Sequence, residues 1–135
     1  CMNLFLKLYL IAFPVFLLID AVWLALIAPK FYRTHIGFLL ADKPNFLAAA
    51  IFYLLFIAGL VVFVIQPGVA NGSLLNIVLM GAFFGLVTYA TYDLTNQATV
   101  NNWPVIVTIV DLIWGTVLSA SISAIVFLIF NKLNL

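Results

Sequence analysis

The sequence has very few charged residues. They make up 7% of its 135 residues, whereas 67% of the residues are hydrophobic and the mean hydropathy is +1.32. Soluble domains carry roughly 25% charged residues, so this composition excludes a water-soluble globule. The formal net charge of +1 provides no basic surface, and we therefore expect no nucleic acid as a partner.

Other absences exclude whole classes of chemistry. The single cysteine, Cys1, excludes an intrachain disulfide and a thiolate metal cluster. The single histidine, His35, excludes a bis-histidine haem within one chain, and no lysine lies mid-span to hold retinal. Ser-x-x-Lys, Gly-x-Ser-x-Gly and His-Glu-x-x-His are also missing. We expect no cofactor and no metal, although the aspartates and an asparagine would suit a hard cation.

Four long apolar runs dominate what is present. A hydrocarbon core roughly 30 Å thick requires about 20 apolar residues per helix. The sequence therefore predicts an all-α integral membrane protein, a four-transmembrane-helix bundle formed by one domain over residues 1–135. The expected spans are about 8–28, 45–66, 74–95 and 104–130. The first run is too long for a signal peptide and lacks a cleavage site, so we expect a retained span after the natural start at Met2.

Local signals define the expected helix ends. Pro29-Lys30 and Pro67-Gly68 are expected to end the first and second spans, and Pro14 to kink the first. We expect Pro44 in the first turn of the second span. Side chains that can accept hydrogen bonds precede the later spans, and the expected N-caps are Asp42, Ser73, and Asn101 or Asn102.

Residues 29–44 form an amphipathic segment between the first two spans. Its apolar residues recur at helical spacing and lie opposite three basic ones; they are Phe31, Tyr32, Ile36 and Leu39 or Leu40, against Lys30, Arg33 and Lys43. This predicts a short helix in the membrane interface, covering one end of the bundle, with a snorkelling loop as the alternative. The basic residues place this segment in the cytoplasm by a margin of one charge, which also allows dual topology.

Three of the four acidic residues, Asp20, Asp93 and Asp111, lie inside predicted spans. A carboxylate near the bilayer centre costs at least about 2.5 kcal/mol, and no lysine or arginine lies inside a predicted span apart from Lys7 at an edge. At about 1.5 Å per residue, all three fall in the membrane half beneath segment 29–44. The matching depths predict one shared polar pocket. The alternative is a structural role, with the aspartates as interhelical hydrogen-bonding groups.

Aromatic and amide residues flank these aspartates at helical spacing. Residues 19–23 (Ile-Asp-Ala-Val-Trp) echo residues 110–114 (Val-Asp-Leu-Ile-Trp), which suggests an inverted relation or chance. The expected ligand-binding residues are Asp20, Trp23, Tyr89, Tyr92, Asp93, Asn96, Asp111 and Trp114, with Trp103 at the rim. Asp20 and Asp111 are also the catalytic candidates. Close helix packing is expected along Gly81-xxx-Gly85 and along Gly115-xxx-Ser119-xxx-Ser123.

Four stretches resemble a bacterial membrane family known only as domain of unknown function 2177. They are Lys-Leu-Tyr-Leu-Ile-Ala (7–12), Ile-Asp-Ala-Val-Trp-Leu (19–24), Gly-Leu-Val-Thr-Tyr-Ala-Thr-Tyr-Asp-Leu-Thr-Asn (85–96) and Asp-Leu-Ile-Trp-Gly (111–115). The resemblance covers nearly the whole chain. It implies a small four-span protein of the bacterial inner membrane and no established activity, with lipid chemistry suggested only by association.

Three functions remain open from the sequence. The favoured hypothesis is binding or transport of a small amphipathic or lipid-like ligand. One alternative is an intramembrane enzyme in which a protonated aspartate acts on a lipid or isoprenoid, with aromatic rings stabilising a cation. The other is a structural or assembly subunit. The expected partners are membrane lipids, with a small-molecule or lipid ligand and a homodimer as further candidates.

Overall fold

Helices make up nearly all of the structure, a computed structural model that describes residues 3–40, 43 and 45–133. Four helical runs are long and apolar enough to cross a membrane: Leu4–Leu39, Phe46–Asn71, Leu74–Thr99 and Val105–Lys132. Within the described residues no strand occurs. The predicted all-α architecture with four candidate spans is therefore confirmed.

The first two runs are composite. The first contains α1 (Leu4–Val22), a π-helical turn (Trp23–Ile27), α2 (Ala28–Ile36) and a 3₁₀ turn (Gly37–Leu39). The second contains α3 (Phe46–Leu60), a π-helical turn (Val61–Ile65) and α4 (Gln66–Asn71). The third and fourth runs are single helices, α5 (Leu74–Thr99) and α6 (Val105–Lys132).

The prediction that Pro29 and Pro67 end helices is wrong. Each proline lies in the first turn after a π-helical turn, where the backbone N–H of Ala28 or Gln66 bonds to the carbonyl five residues earlier. A proline ring normally clashes with the carbonyl of the preceding turn. The wider π-helical turn offers room for the ring, so the helix continues. The second run ends instead at Gly72, which has a φ of 73°.

The helix caps agree with the sequence in part. The Ser73 hydroxyl accepts a hydrogen bond from a backbone N–H of the first turn of α5, as predicted. The prediction for α6 is wrong, because Pro104 is its N-cap and Asn102 adopts a left-handed conformation (φ 63°) within the preceding turn. Asn45 caps α3. The expected cap Asp42, the first-turn Pro44, and Cys1 and Met2 lie outside the described residues.

The predicted small-residue faces form the contact between α5 and α6, the most extensive helix pair in the bundle. A Cβ atom added to Gly85 would collide with the carbonyl of Gly115, and one added to Gly81 would lie 2.7 Å from the Ser123 hydroxyl oxygen. Glycine therefore allows the two backbones to approach closely. This contact sets the relative position of the polar residues farther along the same two helices.

The apolar core occupies one end of the bundle. Its buried residues come from the first half of α1, the end of α3 with the adjoining π-helical turn, the start of α5 and the second half of α6; they include Leu8, Phe16, Ile57, Leu60, Ile65, Ile77, Leu118 and Val126. A second, smaller cluster of Ile36, Trp103 and Val107 lies toward the opposite ends of these helices. The buried aspartates belong to the region between the two clusters.

Replacing Gly85 with alanine tests the close contact between α5 and α6. The new Cβ collides with the Gly115 carbonyl, so we expect a loss of about 1–3 kcal/mol in the free energy of unfolding. The measurement is unfolding in detergent. Gly37→Ala is the matched control, because its added Cβ would have its nearest neighbour, Arg33 Cγ, at 3.7 Å. Equal stability of the two variants would contradict the close contact.

Candidate functional site

A cavity of about 510 Å³ lies between α2, α3, α5 and α6. Small-molecule sites usually measure about 300–1,000 Å³. Two carboxyl groups, three phenols, one indole and several apolar side chains form its wall: Tyr32, Ile36, Leu40, Phe52, Thr88, Tyr89, Tyr92, Asp93, Trp103 and Asp111. Among the described residues that line it there is no lysine, arginine or histidine. The wall is therefore amphipathic, and its ionisable groups are acidic.

Asp93 and Asp111 meet across the contact between α5 and α6. Their exposed fractions are 0% and 6%, and the two carboxyl groups approach within hydrogen-bonding range. Among the described residues, no N–H or O–H donor other than a carboxylic acid reaches either oxygen of Asp93. A hydrogen bond between two carboxyl groups requires that one of them carries a proton. The pair can therefore satisfy its own oxygens only by holding at least one proton.

Tyr32 joins this pair from α2. Its hydroxyl donates a hydrogen bond to Oδ1 of Asp111. Ile36 and Leu40 follow Tyr32 at intervals of four residues and also line the cavity, so one face of this region covers it. The predicted helix within residues 29–44 is present as α2, Ala28–Ile36. Its orientation parallel to the membrane surface remains a prediction.

Polar side chains fix the turn that joins α5 to α6. The Trp103 indole N–H donates to the Thr108 hydroxyl at 3.1 Å, and that hydroxyl donates to the Gln97 carbonyl oxygen at 2.9 Å. The Gln97 amide in turn donates to the Trp103 backbone carbonyl at 2.8 Å. The closed ring holds the Trp103 indole against Tyr92, with ring centroids 6.0 Å apart and the planes at 82°. Both rings form part of the cavity wall.

Asp20 is buried but does not line this cavity. It is 7% exposed, and the Tyr53 hydroxyl of α3 and the Trp114 indole of α6 approach its carboxyl group. Trp114 also stacks on Trp23, with centroids 4.4 Å apart and planes at 10°. The two tryptophans line a separate cavity of about 170 Å³. The echoing segments 19–23 and 110–114 are thus in contact through their tryptophans.

The remaining predicted residues divide between the cavity and its surroundings. Tyr89 and Tyr92 line the cavity, whereas the half-buried Asn96 does not. Within residues 3–40, 43 and 45–133, no three His, Cys, Asp or Glu side chains form a group that could hold a metal ion. The structure therefore places Asp93 beside Asp111, and Asp20 in a different environment.

Part of the cavity wall carries no recognisable signal in the sequence. Phe52 and Thr88 gave no signal, because an apolar residue and a threonine in a transmembrane helix are ordinary packing residues. A sequence signal does exist for Tyr32, Ile36 and Leu40, because their spacing marks one face of the amphipathic segment. Tyr53 lies in an apolar run without a buried charge, where an aromatic residue is expected to pack or to face lipid, but it approaches Asp20. A search for phenols at the predicted depth of each buried carboxyl group would have found Tyr53.

Comparison with known proteins identifies one family. A family model described as "Predicted membrane protein (DUF2177)" matches residues 5–128, which include every residue of the cavity wall. No curated protein and no solved structure matches the chain. The resemblance seen in the sequence is thereby confirmed, and the four candidate spans agree with the description of the family. The chain belongs to the DUF2177 family of predicted membrane proteins.

Proposed function

We propose that this membrane protein binds a small amphipathic or lipid-like ligand in the cavity between α2, α3, α5 and α6. One observation carries the proposal: a single cavity of about 510 Å³ combines apolar side chains with two buried carboxyl groups. An amphipathic molecule has the same two-part character. Its head group would lie at Asp93 and Asp111, and its apolar part against Ile36, Leu40 and Phe52.

The position of the apolar wall supports entry from the lipid. Leu40 and Phe52 are each 46% exposed while they also line the cavity, so this wall reaches the outer surface of the bundle. In a four-span protein that surface faces acyl chains. A ligand dissolved in the bilayer could therefore reach the cavity without crossing water.

Location and assembly are part of the same proposal. The family resemblance supports the bacterial inner membrane, and membrane lipids are the surrounding partners. For transport, we propose a homodimer whose cavity opens to water on both sides of the membrane. Binding alone requires only the single chain.

An intramembrane enzyme is the second candidate, and the carboxyl pair in an aromatic cavity favours it. A protonated Asp111 could transfer its proton to a carbon–carbon double bond of a lipid or isoprenoid. The carboxyl O–H bond then breaks, a C–H bond forms, and a carbocation and a carboxylate remain. Return of a proton from the adjacent carbon to the carboxylate restores the acid and moves the double bond. The rings of Tyr89, Tyr92 and Trp103 could stabilise the cation.

Filling the cavity tests the binding function. We expect Thr88→Phe to weaken binding of a brominated medium-chain alcohol at least about tenfold, because the larger side chain occupies the ligand volume. Binding is followed in lipid nanodiscs by bromine quenching of tryptophan fluorescence. Trp103 is the tryptophan of the cavity wall, so the part of the quenching that is lost in the Trp103→Phe variant arises in the cavity.

Thr91→Phe is the matched control on the same helix. Thr88 and Thr91 each donate to a backbone carbonyl four residues earlier, at 2.9 and 2.7 Å, but Thr91 is exposed and lies outside the cavity wall. We expect this variant to bind the alcohol as the wild type does. If Thr88→Phe binds the alcohol equally well, the ligand does not occupy this cavity.

Deuterium incorporation separates binding from catalysis. The protein is incubated in D₂O with unsaturated and isoprenoid lipids, and the deuterium content of the recovered lipids is measured by mass spectrometry. The binding function predicts no carbon-bound deuterium. Deuterium that appears with the wild type and disappears with a folded Asp111→Asn variant would establish proton transfer to carbon, because an amide cannot supply the proton.

The same variant also tests the structural alternative. Asparagine keeps the size of aspartic acid and can accept the hydrogen bond from Tyr32, so we expect the free energy of unfolding to fall by less than about 2 kcal/mol. A larger loss of stability, with ligand binding reduced only in proportion to the folded fraction, would favour the scaffold role. The measurement is unfolding in detergent beside the quenching assay.

A further inference from the structure

We propose that the cavity selects hydrophobic ammonium cations, and that each bound cation replaces one proton of the Asp93–Asp111 carboxyl pair. This inference rests on the proposed function, because it names the class of ligand for the same cavity. It adds a charge, a stoichiometry and a direction of pH dependence that binding of an amphipathic molecule does not require.

The charge balance of the cavity is the first argument. Two carboxyl groups line it, and no cationic side chain does among the described residues. A net charge in such surroundings is costly unless it is paired. Without a ligand, two protons make the pair neutral. With a monovalent cation, one proton and one cation make the same site neutral, so exchange leaves no buried net charge.

The unpartnered oxygens of Asp93 are the second and independent argument. Asp93 is 0% exposed, and neither of its oxygens receives an N–H or O–H donor from a described residue outside the carboxyl pair. Asp111, in contrast, accepts the hydroxyl of Tyr32. A buried carboxyl group with no donor beyond its acidic partner loses free energy that a cation in the cavity would restore. The Asp93 carboxyl group is thus available to bind a cation, whereas the Asp111 carboxyl group is held in place by Tyr32.

Aromatic rings provide the third argument. Tyr92 and Trp103 meet nearly at right angles, at 82°, and Tyr89 belongs to the same wall. Faces of this kind attract alkylammonium groups through cation–π interactions. A neutral head group gains no comparable attraction. The apolar residues Ile36, Leu40 and Phe52 then accommodate a hydrocarbon chain.

The groups around the pair make its titration the source of the pH dependence. The phenols that face it are Tyr32 from α2 and Tyr89 from α5, and an unperturbed phenol titrates near pH 10. Farther along the bundle lie Asp20 of α1 and Tyr53 of α3.

The basic residues of α2, Lys30, Arg33 and His35, lie outside the cavity wall, and His35 contacts Phe31. Protons and cations therefore compete for the carboxyl pair itself.

The experiment compares two probes with the same brominated alkyl chain, one ending in trimethylammonium and one in a hydroxyl group. A quaternary ammonium has no proton of its own to exchange. Affinities are measured in nanodiscs of a neutral lipid by quenching of Trp103 between pH 5 and 9. Proton release on binding is measured with a pH indicator in weak buffer.

Four results are expected from the wild type and its variants. The cation binds at least about tenfold more tightly than the alcohol and releases about one proton. Its affinity rises with pH by up to about tenfold per unit, because lowering the proton concentration removes the competitor. The double variant Asp93→Asn/Asp111→Asn loses the proton release but still binds the alcohol, because no carboxyl proton remains in the cavity to be exchanged. Asp20→Asn, which removes a buried carboxyl outside the cavity, retains the proton release.

Different outcomes overturn different statements. Equal affinities for the two probes without proton release would overturn the cation–proton exchange and leave the proposed function standing. Absence of quenching by either probe would overturn both. Loss of proton release in Asp20→Asn, with its retention in the Asp93→Asn/Asp111→Asn double variant, would overturn the assignment of the exchange to the carboxyl pair and place it at Asp20. If the asparagine variants do not fold, the wild-type probe preference and proton count decide the question alone.

Discussion

Buried acidic groups with no basic partner among the described residues are the constraint on which this structure depends. An apolar environment offers a carboxyl group no water, so its oxygens must be satisfied by protons or by donors from other helices. The bundle meets this demand in two ways. Asp20 is approached by a phenol and an indole, whereas Asp111 receives Tyr32 and faces Asp93. The second arrangement, unlike the first, borders a cavity and leaves Asp93 without an N–H or O–H donor from a described residue outside the carboxyl pair.

The close contact between α5 and α6 makes this carboxyl pair geometrically possible. Gly85 and Gly115 bring the backbones together two turns from Asp93 and one turn from Asp111. The ring of hydrogen bonds among Gln97, Trp103 and Thr108 holds the same two helices at the nearby turn. The pair therefore lies between two fixed points, and its separation is set by backbone packing rather than by the carboxyl groups themselves.

The π-helical turn before Pro29 gives α2 its role. If the helix ended at Pro29, residues 30–40 would be a connection with no fixed direction. Because the helix continues, Tyr32 is held at Asp111, and Ile36 and Leu40 cover the cavity along the same face. The second π-helical turn, before Pro67, similarly extends the second run to Asn71. In both places an irregular turn preserves a helix that proline chemistry alone would interrupt.

The sequence alone determined the number of candidate spans, the close-packing faces and the burial of three aspartates, because each follows from hydropathy, residue size or the cost of a charge in lipid. It did not determine which aspartates meet. Asp20, Asp93 and Asp111 have similar predicted depths, and depth does not specify rotation about a helix axis. Packing against Gly85 and Gly115 fixes that rotation and places Asp93, rather than Asp20, beside Asp111. Tertiary structure likewise decided that Phe52, Thr88 and Tyr32 share a cavity, since no local pattern encodes a volume enclosed by four helices.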